Sequence, residues 1–343
     1  MREPSLADSF EVLCLQAADQ GRGPVLFGDS LARARTLAKP FIVGELFPDV
    51  YLEFPLKGDP FLDVTVLYGQ VKPGTRIDSE AAAGADVVFD WFSDVRKEHE
   101  RVSFGFELDT HKEDLPPAAI HFQPRNLTEL VEPFCRAIGE PERAKLYVNT
   151  CKRMPPEWQL SFFGLFRGRP DSPLRICGYL SKEEGERCAQ DKSALVEVFD
   201  QVGFSDYDNE MLEQICRLMV SAPKGLDFQF DVYPDGTLGD TFAIDAQFQI
   251  ERPQAVLESF SSGVASRVIN LFEEWGITDD RWQRAVEATF ARSIPVERDN
   301  GSIGKFAFTL MPQWTKARWR NTVLQPAKLY CLANACMLDK DDE

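Results

Sequence analysis

The sequence predicts an α+β protein: an antiparallel β-barrel of about ten strands, built from five hairpins and covered outside by helices. Three observations point there. Stretches of strict apolar/polar alternation come in pairs, as half-buried strands do. Longer helical stretches separate the pairs. The polar side of the paired stretches is crowded with carboxylates, amides and cations. A chain of such units closes most economically edge to edge, which leaves no free strand edge. Helices outside then require apolar outward faces, so the polar faces turn inward, around a lumen wide enough for a small ligand. The competing arrangement is a pair of α+β sandwiches with those polar faces in solvent.

Taken in order, residues 1–40 read as a helical or irregular N-terminal segment. Residues 50–54 and 61–68 form the first hairpin, followed by a helical stretch over 79–99. The second hairpin joins 102–110 to 118–124, and Asn126 with Glu129 resembles a capping box opening a helix. The third joins 160–168 to 174–181 around the turn at 169–173, and helices follow to about Val220. The fourth is the clearest. Leu226, Phe228, Phe230 and Val232 alternate with Asp227, Gln229, Asp231 and Tyr233. Past Pro234-Asp235-Gly236, Phe242, Ile244, Ala246, Phe248 and Ile250 alternate with Asp245, Gln247 and Gln249. Proline presets φ and glycine accepts a positive one, so the trio is a turn. Helices resume at Arg252-Pro253 and run through Phe260, Leu271, Trp275 and Trp282. Residues 304–312 and 315–321 form the fifth hairpin, with 327–335 as a further strand. The expected organisation is one barrel domain over 41–337 and an acidic tail over 338–343.

Composition narrows the function. The net charge is −17, which argues against nucleic acid and anionic membrane as partners, since both want basic surface. No apolar run reaches the length of a membrane span, and MREPSLADSF has no signal-like apolar core, so a cytoplasmic location is expected. The eight cysteines contain no CxxC pair and read as reduced core thiols; with three histidines, neither a zinc site nor a multi-histidine site is expected. No P-loop, GxGxxG or Ser-His-Asp constellation stands in a convincing context.

Alternation assigns the lumen. Tyr51, Glu53, Asp63 and Thr65 come from the first unit; Ser103, Glu107, Asp109, His121 and Gln123 from the second; Arg175, Cys177 and Tyr179 from the third. The fourth gives Asp227, Gln229, Asp231, Tyr233, Asp245, Gln247 and Gln249. The last gives Lys305, Thr309, Lys316, Arg318, Arg320, Lys328 and Tyr330.

Five helix-covered ββ units around a polar lumen resemble the ABBA-type prenyltransferase barrel, the family of soluble aromatic and cyanobactin-type peptide prenyltransferases. Phe163-Gly164 through Arg175 and Tyr179 is similar to a hairpin of the peptide enzymes. Ala327-Lys328-Leu329-Tyr330 resembles a closing strand of that barrel, and no DDxxD is present. The resemblance implies a transferase moving a prenyl group from an allylic diphosphate, its co-substrate, to a peptide side chain (an arginine among the candidates) or a small aromatic molecule. Arg175, Lys316, Arg318 and Lys328 are the candidates for holding the diphosphate, each charge-assisted hydrogen bond contributing about 1.5–3 kcal/mol. Tyr179, Tyr233 and Tyr330 are candidates for shielding the carbocation. Glu53 matches the family's acidic residue that orients or deprotonates the acceptor. Glu107, His121, Asp227 and Asp231 are further candidates for substrate contact. The carboxylate excess departs from the family and calls for Mg²⁺ or a cationic acceptor, with a guanidinium expected beside Asp227 and Asp231. Two alternatives remain open: a non-catalytic barrel gripping a basic peptide, and a Mg²⁺-dependent enzyme of another class using Asp227, Asp231 and Asp245 as ligands.

Overall fold

The structure, a computed structural model, describes residues 4–44, 46–82, 87–112, 116–125, 127–169, 171–223, 225–297 and 301–338. Four hairpins lie where alternation places them: β1 (Asp49–Pro55) with β2 (Asp63–Tyr68), β3 (Ser103–Leu108) with β4 (Ala119–Gln123), β5 (Trp158–Leu165) with β6 (Leu174–Leu180), and β7 (Leu226–Val232) with β8 (Leu238–Gln247). Consecutive hairpins pair antiparallel, β2 with β3, β4 with β5 and β6 with β7.

The fifth unit differs from the expected hairpin. Residues 303–320 form one long strand. A second unannounced strand, β9 (Phe290–Glu297), precedes it, so the long strand is β10 (Ile303–Arg320). The register slips between Pro312 and Trp314. A bulge absorbs a proline that has no N–H to give the ladder, so Pro-Gln-Trp bends the strand where a turn was expected. The second half of β10 pairs with β8, Trp314 opposite Gln247 through Arg320 opposite Thr241. Its first half carries β9 on its edge. Pro295 and a mostly exposed face mark β9 as an edge strand, which is why it lacks the alternation of the others. After the short β11 (Val323–Leu324), β12 (Lys328–Leu338) pairs with β10 on one side and β1 on the other. The ring β1 to β8, β10, β12 is thereby a closed antiparallel barrel of ten strands. The sandwich alternative is excluded.

Among the described residues, twelve α-helices surround it. α1 (Leu6–Ala18), α2 (Arg22–Phe27) and α3 (Ser30–Ala38) precede β1. Among the described residues, the expected 79–99 helix is represented by α4 (Val88–Val95) and a 3₁₀ turn at Glu80–Ala82. α5 (Val131–Ala137) and α6 (Glu142–Cys151) follow β4. The Asn126 cap lies outside the described residues, as do 339–343 of the tail; Leu338 itself ends β12. α7 (Lys182–Gln190), α8 (Lys192–Val202) and α9 (Asn209–Ser221) follow β6. α10 (Val256–Ser262), α11 (Val264–Glu274) and α12 (Arg281–Glu287) follow β8. None is long and apolar enough to cross a membrane.

Packing between the layers is aromatic. Phe54 meets Phe27, Phe106 meets Phe41, and Phe104 meets Phe92, each edge to face. Phe122 stacks on Phe134 with centroids 4.2 Å apart, and Phe230 and Phe242 meet Phe199. Such pairs contribute about 0.5–1.5 kcal/mol beyond their buried area. Phe228, Ile244, Phe306 and Phe308 are buried in the same core. With the apolar faces spent on helices, the polar faces have nowhere to go but inward. All eight cysteines are free thiols, five of them buried.

Candidate active site

Two of the cavities lined by the inward faces of the strands bear on the site. The larger has a volume of about 600 Å³ and the smaller about 30 Å³. Glu107, Arg175, Gln229, Lys316 and Tyr330 line both, so they form the layer between them. They come from β3, β6, β7, β10 and β12 and point inward by the same alternation that sends their neighbours to the helices.

The small cavity is a cage of charge. Arg169, Arg175, Lys316, Arg318 and Lys328 line it together with Glu53, Glu107 and Asp231. All four cations expected at the diphosphate are therefore brought together here. Arg175 forks onto Asp231, with Nε and Nη2 donating at 2.8 and 3.0 Å. The two residues are cross-strand partners, which fixes the geometry. Burial works against both charges, but the Asp231 carboxylate raises Arg175, and Arg175 holds Asp231 below the usual range. Arg169 Nη2 donates to Glu107 at 2.9 Å and to Asp109 at 3.3 Å. Phe166 lies between two guanidiniums, 3.8 Å from Arg169 and 4.3 Å from Arg175. Lys328 donates to Glu53 and lies 3.9 Å from Asp63, whose other partner is His111 Nδ1 at 2.8 Å. Arg318 is different. It forms no ion pair among the described residues, and its buried Nε donates to nothing. Burial first, then Arg175, depresses its pKa.

Glu53 is not in the position expected of a base. It lines the small cavity and not the larger one. Burial pushes its carboxyl up, but the Lys328 and Lys316 charges and the Lys328 hydrogen bond together outweigh that and leave it below the ordinary value. A carboxylate so held is a poor proton acceptor.

The large cavity has an aromatic side. Trp314 stacks on Tyr330 with centroids 5.0 Å apart and meets Tyr51 at 4.6 Å. Lys316 Nζ lies 4.9 Å from the Tyr330 centroid. Tyr179 lines the wall near the mouth. Tyr233, expected inside, lines neither cavity: it sits at the β7–β8 turn, its backbone N–H bonded to Thr237. Lys305, Gln249 and Arg320 are exposed, the last paired with Asp240 at the barrel rim.

The other wall is acidic. Asp227 accepts from Gln247 Nε2 at 2.8 Å, and Asp245 accepts from Gln229 Nε2 at 2.6 Å. Asp245 Oδ1 accepts no hydrogen bond, and Lys316 lies 3.7 Å away. Burial, reinforced by Asp227 and Glu53 against Lys316, raises the Asp245 pKa to about 7. His121 Nε2 is 3.0 Å from Glu107. A Cβ at Gly164 would lie 2.8 Å from the imidazole, so the glycine makes the room the ring occupies. The guanidinium expected beside Asp231 is supplied by the chain's own Arg175. Asp231 faces the small cavity while Asp227 and Asp245 face the large one, so the three are not a ligand set. Among the described residues, no group of three or more His, Cys, Asp or Glu side chains is placed to hold a metal ion.

Sequence reasoning missed Trp314 and Arg169. Both were assigned to turns: Trp314 lies just past Pro312, and Arg169 precedes Pro170. The aromatic residue directly after an expected break was the available signal for the first.

No protein-family model matches the chain, and no curated protein matches it in sequence. Solved structures do match along nearly the whole length. 5-Dimethylallyltryptophan synthase from Streptomyces coelicolor superposes with a TM-score of 0.53 at 12% identity, covering 96% of this chain and 97% of that one. The fold is the ABBA prenyltransferase barrel. The prenyltransferase PriB, in a binary complex with product diphosphate, matches with a TM-score of 0.52 at 11% identity, covering 96% of each chain. Its ternary complex with L-tryptophan and dimethylallyl thiolodiphosphate matches at 0.50 and 11% identity, again covering 96% of each. In this ABBA barrel, as the sequence leads one to expect, the lumen is lined by the polar faces of the ring strands.

Proposed function

We propose that the protein is a prenyltransferase that moves a short prenyl group from an allylic diphosphate, dimethylallyl diphosphate being the first candidate, to an aromatic acceptor, free or within a peptide. The carrying observation is the five-cation cage beneath an aromatic-walled cavity, with Arg318 lacking an ion-pair partner among the described residues and its Nε unbonded. The diphosphate binds at Arg318, Arg175, Lys316 and Lys328 and leaves as the C–O bond breaks. The prenyl cation projects past Tyr330 toward Trp314 and Tyr51, whose ring faces stabilise positive charge. An acceptor carbon or heteroatom in the large cavity supplies the electron pair for the new bond. The proton it loses passes to the His121 imidazole on the same wall, whose Nε2 lies 3.0 Å from the Glu107 carboxylate that would hold the imidazolium in place. The cage carboxylates are spent on side chains, so a Mg²⁺ ion would have to be brought by the diphosphate and would supply charge neutralisation of the leaving group. The similarity to structures that hold diphosphate, dimethylallyl thiolodiphosphate and L-tryptophan supports this reading.

One observation favours a second reading, peptide binding without transfer: four of the five cage cations already have carboxylates within 4 Å. One experiment separates the two. The protein is incubated with dimethylallyl diphosphate, Mg²⁺ and either L-tryptophan or a tryptophan-containing peptide, and products are read by mass. A gain of one prenyl unit that disappears in Arg318→Ala supports transfer. Peptide binding with no diphosphate binding and no mass gain refutes it.

A further inference from the structure

We propose that Asp227 and Asp245 form a subsite for a positively charged nitrogen group, an ammonium or a guanidinium, carried by the acceptor. The proposal rests on reading the large cavity as the acceptor site and says what, besides an aromatic ring, that acceptor carries.

Asp227 and Asp245 are cross-strand partners on β7 and β8, both inward-facing and both on the wall of the large cavity. Directly opposed like charges on neighbouring strands repel and destabilise the pair unless something lies between or beside them. The wall's own donors do not suffice. Gln247 gives its amide N–H to one carboxylate and Gln229 to the other, one bond each. Asp245 is only 5% exposed, and its Oδ1 is left with no hydrogen bond. A buried acceptor in that state carries the full desolvation penalty, and native structures rarely tolerate it without a guest.

The groups facing the pair from each neighbouring element leave that oxygen free. From β10, Lys316 approaches to 3.7 Å, too far for a hydrogen bond, with its ammonium over the Tyr330 ring. From β6, Arg175 is committed to Asp231 in a fork. From β1, Glu53 adds negative charge, and it too is felt at Asp245. From the loop after β4, Arg125 acts on Asp227 from the mouth. From β6 again, Tyr179 is the cross-strand partner of Asp227 and offers a ring beside it. The result is a pair of carboxylates with one orphaned oxygen and an aromatic neighbour, opening on about 600 Å³ of space. A cationic nitrogen satisfies the oxygen, screens the repulsion and finds a ring face to lie against.

The same charge keeps the two substrates apart. A diphosphate is repelled from this wall and attracted to the cage below, while a cationic acceptor is drawn the other way. When no guest is present, Asp245 is partly protonated near neutral pH, since burial holds it at about 7. A cation that binds there displaces that proton.

The test uses the whole protein without diphosphate, at pH 7, and three indoles matched in shape: tryptamine, its guanidino analogue and the neutral tryptophol. Calorimetry in two buffers of different ionisation enthalpy reads affinity and proton release together. Both cationic probes are expected to bind about tenfold or more tightly than tryptophol, the usual worth of one charge-assisted hydrogen bond. They should release a fraction of a proton that tryptophol does not. The tighter of the two decides between ammonium and guanidinium. Asp245→Asn should abolish both the preference and the release, and the release measured on the unmodified protein stands by itself if that variant folds poorly. Equal binding of all three, without proton release, overturns the subsite but leaves the acceptor cavity intact. Binding of none overturns both.

Discussion

Asp245 makes a stability prediction whose sign is opposite to that of an ordinary carboxylate. Its pKa is about 7 in the folded protein against 3.8 ordinarily, chiefly through burial. An acid raised on folding holds more protons folded than unfolded between the two values. Stability therefore falls as pH rises through that window and levels off above the folded value. At 1.36 kcal/mol per unit, the full cost reaches about 4 kcal/mol, of which about 2.5 kcal/mol accrues between pH 5 and 8. Asp245→Asn removes the titration while keeping an oxygen for the Gln229 amide to donate to. Urea unfolding of both proteins at pH 5, 6, 7 and 8 gives a difference curve in which the other titrating groups cancel. The variant should gain on the parent by about 2.5 kcal/mol across that range, with the slope easing above pH 7. A difference that stays flat, or one that favours the parent at high pH, would falsify the claim that Asp245 is held partly protonated by its surroundings.

Three further substitutions test the cage and the aromatic wall. Arg318→Ala should weaken dimethylallyl diphosphate binding by about 1.5–3 kcal/mol, read by calorimetry, against less than about 1 kcal/mol for exposed Arg320→Ala; equal losses would place Arg318 outside the diphosphate site. Asp231→Asn strands the buried Arg175 and should cost about 3–5 kcal/mol at pH 7. Because Arg175 holds Asp231 below the ordinary value, the stability it supplies is present above that value and lost as pH falls through the depressed one, so the variant's deficit should shrink in acid; a deficit independent of pH refutes the pairing. Trp314→Ala removes the ring between Tyr51 and Tyr330 and should weaken an aromatic acceptor more than tenfold, on the order of the aromatic truncation costs at binding sites, while leaving diphosphate affinity unchanged. A parallel loss of diphosphate affinity would mean that the tryptophan merely holds the strand.

Much of this architecture was legible because a period of two assigns faces without any knowledge of partners. Phe228 and Phe230 had to turn from Asp227, Gln229 and Asp231, and closure then made one side a lumen. What alternation cannot convey is which inward charge meets which. Arg175 was read as a cation for a ligand and Asp231 as a carboxylate awaiting one; the β6–β7 register joins them. Glu53 was read on the inward face, where it lies, but its depth was not legible, because depth depends on stagger between strands and not on the local pattern. The fifth unit failed at Pro312, where a proline compatible with a bulge is locally indistinguishable from one in a turn. Trp314 was lost with it.

The closing contact of the ring joins β1 to β12, so Val50 lies opposite Ala333 across nearly the whole length of the chain. That pairing can form only after almost everything between has been made, and contacts so distant in sequence form slowly. Until then β1 and β12 each present an unpaired edge, and the lumen charges stand in water instead of facing one another. A chain cut after Gln325 would lack β12 and Lys328, leaving Glu53 without its counter-ion as well as the edges of β1 and β10 bare. Such a fragment should associate with other chains through those edges rather than persist as a smaller barrel.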